Sequence, residues 1–386
     1  MLLLILIYIS FISLGLPDSL LGTAWPVMRN ELGLNVSYAG ILSMVISGGT
    51  IISSLFSERF IRKFGTGKVT LISVFMTAMA LLGFSLFPNF LWLILCAIPL
   101  GLGAGSVDAA LNNFVALHYR AKHMSWLHCF WGIGATTGPV IMSYYLNINH
   151  SWRSGYRTVG WIQIALVSVL LFSLPLWKKR ETLVTEEKAE EKESFTFQHL
   201  IKLKGAKPTL FGFFCYCAIE ATAGLWGSSF LVIEKGLSPD LAASWISLYY
   251  FGITFGRFLS GFLTLKMTNR KMIRLGQGLI LLGVLLLIVP GNQVLLCIGF
   301  FTIGLGCAPI YPCMLHNTPK NFGEHLSQAI MGIQMACAYV GSTLMPPLFG
   351  LLGQNISMGL LPYYLGFFLM VMIFMIEKLN RHTEDY

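Results

Sequence analysis

Gly101-Leu-Gly-Ala-Gly-Ser-Val-Asp108-Ala-Ala-Leu-Asn112-Asn113 sits inside an apolar run from Phe90 to Leu117. As a helix the run is long enough to cross a bilayer, which takes about 20 residues, yet it carries a carboxylate. Gly101, Gly105, Asp108 and Asn112 follow one another at spacings of three and four, so a helix puts them on one face. A carboxylate facing lipid is costly, so that face is expected to look into protein or water. The pattern returns 203 residues later as Gly304-Leu-Gly-Cys-Ala-Pro-Ile-Tyr311, with Tyr311 at the place of Asp108.

The rest of the chain agrees with a membrane setting. Of its 386 residues 55% are hydrophobic and 11% charged, against about a quarter charged in soluble domains. Twelve apolar spans are expected, near 2–27, 38–57, 68–87, 90–117, 125–147, 158–177, 209–233, 241–265, 272–290, 293–316, 327–350 and 358–377. The first lacks a basic leader and a small-residue cleavage site, and so is expected to be a helix and not a removed signal. A charge-rich linker, 178–208, divides the chain into bundles of six and six, 1–177 and 209–386. All eight cysteines lie in apolar spans without metal-ligand spacing and are expected to be small buried hydrophobes.

Most of the 26 Lys and Arg fall in loops on the linker's side, against only Arg29, Arg153, Arg157 and Lys235 on the other. The positive-inside rule then places the linker and both termini in the cytoplasm, with the bacterial inner membrane as the expected location. The net charge of +9 is topology on this account, and no nucleic-acid partner is expected. Asn35, Asn149 and Asn355 begin glycosylation sequons on the outer side, in loops too short for modification to be expected. No nucleophile elbow, zinc-spaced histidine pair or phosphate-binding glycine loop is present, so an enzyme is not expected.

The two halves repeat each other. Gly101 and Gly103 match Gly304 and Gly306, Gly134 with Pro139 matches Gly341 with Pro346, and Asp18 precedes Glu220 by 202 residues. Twelve spans, a central linker and the basic loop Glu58-Arg-Phe-Ile-Arg-Lys-Phe-Gly65-Thr-Gly-Lys68 resemble the major facilitator superfamily. The loop is a degenerate form of the superfamily's gating signature, without its usual Gly-x-x-x-Asp opening. More narrowly, Gly15-Leu-Pro-Asp18-Ser-Leu-Leu-Gly22-Thr-Ala-Trp-Pro26 and Glu220-Ala-Thr-Ala-Gly-Leu-Trp226 resemble the fucose–galactose–glucose:proton symporter branch, that of L-fucose permease.

The resemblance implies an all-α membrane protein of twelve transmembrane helices in two pseudo-symmetric six-helix bundles, with alternating access, and suggests a monomer. It implies gating roles for Arg59, Arg62 and Lys63, and Gly256-Arg257 is similarly common in the superfamily. It also implies that an acid in helix 1 serves substrate binding and one in helix 4 serves proton coupling, the helices of Asp18 and Asp108.

Apart from Glu377 at the very end of the last span, Asp18, Asp108 and Glu220 are the only carboxylates within spans. Low dielectric disfavours a charged carboxylate, which suits such acids to carry a proton; the alternative is a neutral or paired acid that holds helices together. A sugar needs a flat apolar face together with hydrogen-bonding groups. Asp18, Trp25, Asn112, Trp131, Tyr311 and Gln334 are the candidates for substrate contact, with Asp108, Asp18 and Glu220 for coupling. Arg257, the one cation in the middle of a span and not at its end, is expected to brace a cytoplasmic gate. Its solitude favours a neutral monosaccharide or polyol over an anion. No cofactor is expected; the coupling ion is H+, with Na+ the alternative. Other readings are a proton-driven exporter of lipophilic cations, and a sensor or binding protein on a transporter scaffold.

Overall fold

The computed structural model describes all residues except 1, 88, 120, 182–196, 264–265, 291 and 385–386. The acidic and basic run at the centre of the expected linker lies outside the described residues. The helices are α1 (Leu2–Asp18), α2 (Leu20–Leu32), α3 (Tyr38–Phe64), α4 (Thr66–Leu86), α5 (Phe90–His118), α6 (Ala121–Asn149) and α7 (Trp152–Glu181). There follow the short α8 (Phe197–Lys202), then α9 (Ala206–Ile233), α10 (Pro239–Leu263), α11 (Asn269–Ile288), α12 (Gln293–Phe322), α13 (Glu324–Asn355) and α14 (Leu361–Glu384). Taking α1 and α2 as one broken rod, the long helices answer to the twelve expected spans. Among the described residues, ten meet the length and apolarity of a membrane span. The exceptions are α6, diluted by Thr136, Thr137, Tyr144 and Tyr145, and α10, diluted by Ser244, Ser247, Tyr249, Tyr250 and Arg257.

The chain divides into two compact units, Met1–Glu190 with Leu237–Ser247, and Glu191–Gly236 with Leu248–Tyr386. The core of the first holds Ile7, Phe11, Val107, Leu111, Phe114, Leu127, Leu170 and Trp177. Trp177 is buried there, 5.1 Å from the Phe114 ring, while Trp161 is exposed. Six residues beyond the expected start of the sixth span, α7 reaches Trp152, whose indole N–H donates to Glu31 Oε2 at 2.6 Å. The neighbouring Arg153 donates to Glu31 Oε1 through Nε at 3.0 Å and to the Phe87 carbonyl at 2.9 Å. This cluster gives α7 a fixed N-terminal start.

The first span differs from the expected continuous helix in being broken at Ser19. Pro17 has no N–H to give the carbonyl of Ser13, four residues back, and such a gap in a membrane must be filled by another donor. Gln163 of α7 fills it: its Nε2 donates to Ser13 O at 2.8 Å, while its Oε1 accepts from Thr77 of α4 at 2.5 Å. Past the break α2 continues to Leu32, since Pro26 in its second turn does not end it.

The sequence repeat is also a repeat of contacts. Gly101 lies against the Ile46 carbonyl and Gly304 against the Tyr249 carbonyl; Gly103 meets Ser73 and Thr77, and Gly306 meets Gly276 and Ile280. Every partner in the second unit is 203 residues after its counterpart. Likewise Gly134 abuts the Ile12 carbonyl and Gly341 that of Phe214. A side chain at these glycines would meet backbone, which cannot move aside as a flexible side chain can.

Gly304→Val is therefore expected to destabilise the folded protein by about 2 kcal/mol or more through overpacking, whereas Gly278→Ala, with open space around it, stays neutral or gains stability. Thermal inactivation of the two purified variants in detergent checks the contrast.

Candidate functional site

Asp18 is the last residue of α1, and it is exposed where the broken helix opens. Its partner comes from α6. Gly15 sits on the Trp131 carbonyl, and Gly134 and Gly138 on the carbonyls of Ile12 and Leu16. Contacts of this kind let two helices approach closely. They bring Trp131 Nε1 to 2.7 Å from Asp18 Oδ2, to which it donates. Trp131 keeps part of its ring accessible.

Asp108 and Asn112 lie one turn apart on α5, both half-buried. Asn112 Nδ2 donates to Asp108 Oδ1 at 2.9 Å and to its backbone carbonyl at 3.0 Å. The Asp108 carboxylate is also within electrostatic reach of Asp18. The first unit thus gathers two acids, an amide and an indole from α1, α5 and α6.

Trp25 lies apart from this group. The seven-residue spacing from Asp18 runs across the interruption at Ser19, so it does not measure two turns of one helix. Trp25 is fully buried, and its Nε1 donates to the Val36 carbonyl at 2.8 Å, which ties α2 to the following loop.

In the second unit Glu220 of α9 faces Arg257 of α10, with Oε1 and Nη2 3.5 Å apart and side chains 21% and 17% exposed. Fully buried Tyr249 donates its hydroxyl to the Glu220 carbonyl at 2.8 Å. Tyr216 and Tyr311 lie within electrostatic reach of the guanidinium. The Tyr311 ring is 5.1 Å from that of Phe213 and 6.2 Å from that of Tyr216, and its hydroxyl donates to Met335 Sδ at 3.2 Å. Gln334 is fully buried in α13, its Oε1 accepting from Thr318 at 2.7 Å; its Nε2 has no partner among the described residues. Arg257 thus stands in an interior ion pair. Arg59, Arg62 and Lys63 are exposed at the C-terminal end of α3, where cations suit the helix dipole, and Arg59 lies over the Phe56 ring at 5.6 Å.

Sequence reasoning missed Gln163, Tyr216 and Tyr249. Tyr216 precedes Glu220 by four residues and Tyr249 precedes Arg257 by eight, spacings that share a helix face. Gln163 had a signal only jointly with Pro17, whose carbonyl gap called for a donor.

Two units of membrane helices, with ionisable and amide side chains turned inward from several helices, are the construction of a membrane carrier. The family profile of the major facilitator superfamily matches residues 7–243 and 209–384, and the chain belongs to that superfamily, a family of transporters and not of enzymes. It is similar to the glucose/mannose transporter GlcP of Bacillus subtilis (strain 168), 23% identical over 80% of this chain and 77% of that protein. It is also similar to the hexuronate transporter of the same organism, 25% identical over 69% of this chain and 65% of the other. Among solved structures, the crystal structure of a D-xylose-proton symporter matches with a TM-score of 0.71 at 13% identity, over 97% of this chain and 96% of that one.

A hydrogen bond to a charged group contributes about 1.5–3 kcal/mol. Trp131→Phe, which keeps a ring and removes the donor to Asp18, is expected to cut transport about tenfold or more and leave the melting temperature nearly unchanged. Trp25→Phe is expected to lower the melting temperature instead. Uptake and thermal melting measured side by side on both variants separate the two tryptophans.

Proposed function

We propose that the protein is a proton-coupled uptake carrier for a neutral monosaccharide or similar polyol, working by alternating access. The observation that carries this is the Asp18–Trp131 contact beside Asp108 and Asn112. A carboxylate accepts hydrogen bonds from sugar hydroxyls, and an indole offers an apolar face to the ring's C–H side. Asn112 adds an amide with both donor and acceptor capacity. The similarity to a protein named as a glucose/mannose transporter supports the sugar class, and the likeness to a proton symporter agrees with the fold such coupling uses.

Asp108 takes the coupling role in this proposal. Asp18 and Asp108 lie within electrostatic reach of each other, and two ionised carboxylates so placed repel each other, a repulsion that grows as the dielectric falls. A proton on Asp108 relieves it and leaves Asp18 free to accept from the substrate. Release of the proton restores the repulsion and disfavours the loaded state. Binding of proton and sugar is then mutually reinforcing, as symport requires. The Lys and Arg distribution supports placing both termini on the cytoplasmic side, and nothing in this scheme needs a second copy of the chain.

Uptake of labelled monosaccharides into proteoliposomes under an imposed pH gradient tests the proposal. Wild type is expected to concentrate a sugar. Asp108→Asn is expected to lose accumulation by tenfold or more while still exchanging internal for external sugar. Accumulation that follows a sodium gradient and ignores pH would replace the proton by Na+. Efflux of cationic dyes without sugar movement would overturn the reading.

A further inference from the structure

The two acids of the proton scheme sit on different helices, Asp18 on α1 and Asp108 on α5, and one side chain of α7 reaches toward both. Gln163 is buried. Its Nε2 donates to the Ser13 carbonyl at 2.8 Å and its Oε1 accepts from the Thr77 hydroxyl at 2.5 Å. The partners fix the orientation of the amide, because a carbonyl can only accept, which leaves the oxygen to face the hydroxyl. Ser13 lies five residues before Asp18 on α1. Thr77 of α4 sets its methyl group against Gly103 of α5, five residues before Asp108. A buried amide thus stands in one chain of contacts between the helices that carry the two acids. The Ser13 carbonyl is open to it because Pro17 has no N–H to give. Asp18 has the Trp131 N–H and the Asp108 carboxylate about it, and Asp108 has the Asn112 amide. The histidines of α6 meet α1 farther along: His128 is edge-on to Phe11, with ring centroids 6.0 Å apart, and His123 is bonded to Tyr8 at 2.8 Å. Both places are about two turns or more from Asp18.

We propose that Gln163 is a positioning residue: by tying Ser13 of α1 to Thr77, which packs on α5, it sets the separation of Asp18 and Asp108 and so how strongly each acid senses the other. This rests on the carrier reading above and names what holds its two acids in register. The interaction of two charges falls with their distance, so acids that act on each other through space need a fixed separation. Packed helices can slide past one another by small amounts. A hydrogen bond from a buried amide opposes such a slide, because moving it away leaves a carbonyl unpaired where no water can take it up. Without Gln163, α1 keeps its glycine contacts with α6 but loses its tie toward α4 and α5. Gln163 bonds to neither acid, so it acts through the placement of the helices that carry them.

The test follows the Trp131 indole, which donates to Asp18, in the purified full-length protein. Emission is recorded against pH for each protein and for its Trp131→Phe counterpart, and the difference reports the state of Asp18. In the wild-type background Asp108→Asn is expected to displace the midpoint of this titration by about one pH unit or more. In the Gln163→Met background, which keeps the length of the side chain and removes both hydrogen bonds, the displacement is expected to fall to about half or less. A purely structural Gln163 would lower the melting temperature and leave the displacement as in wild type. Where Gln163→Met does not fold, Thr77→Val takes its place, since it keeps the shape and the bond to Ser13, and it is expected to reduce the displacement as well. The proposal is overturned by a folded Gln163→Met protein, or in its place a folded Thr77→Val protein, with the wild-type displacement, and by a wild type in which Asp108→Asn displaces nothing. Sugar uptake by the same proteins separates this outcome from that of the carrier reading. A wild type that concentrates no sugar, with the displacement present and lost in Gln163→Met, removes the carrier reading and leaves the assignment of Gln163 standing. A wild type that concentrates a sugar, with the displacement kept in Gln163→Met, does the reverse.

Discussion

In a bilayer no water is available to take up a backbone group that the helix itself leaves unpaired, and this one constraint shapes the N-terminal unit. Pro17 removes a donor from the Ser13 carbonyl, and the structure answers with Gln163, whose amide also engages Thr77. Three helices are thereby fixed around the break at Ser19. Asp18 is set at the end of α1, where it is accessible. There the Trp131 indole donates to its carboxylate. A polar network in the core thus stands next to the accessible acid.

The two units carry different chemistry on matching backbones. Asp18 corresponds to Glu220, Asp108 to Tyr311 and Ser54 to Arg257, at offsets of 202 and 203. The first unit has two acids and neutral hydrogen-bond donors. The second has one acid, which is answered by an arginine, and a phenol in place of the other. Ser54 merely donates to the Gly105 carbonyl at 3.3 Å, whereas its counterpart Arg257 reaches a carboxylate. At these positions the acids without an answering cation lie in the first unit, where proton coupling is proposed.

Much of the fold was legible because the signals are local. Apolar runs announce helices, and the glycine pattern at a fixed offset announces a repeated packing arrangement, now seen as matched glycine-on-carbonyl contacts. The Asp108–Asn112 contact was legible for the same reason, being one turn of one helix. The Asp18–Trp131 bond spans 113 positions between helices, and no periodicity within either helix reveals it. Trp25 looked like a neighbour of Asp18 only for an unbroken helix. Glu220 and Arg257 were each conspicuous alone, but their pairing is a fact of how α9 and α10 pack.

The matched contacts also record a history. Backbone positions that agree contact for contact, under side chains that no longer agree, are what duplication of a six-helix ancestor leaves behind. The glycines could not drift, since any replacement would strike a carbonyl in both copies alike. The titratable positions differ between the two copies, where their side chains meet other side chains and not backbone alone. Invention in this chain was therefore channelled into a few sites, and the surviving copy at each site shows what the scaffold tolerates there.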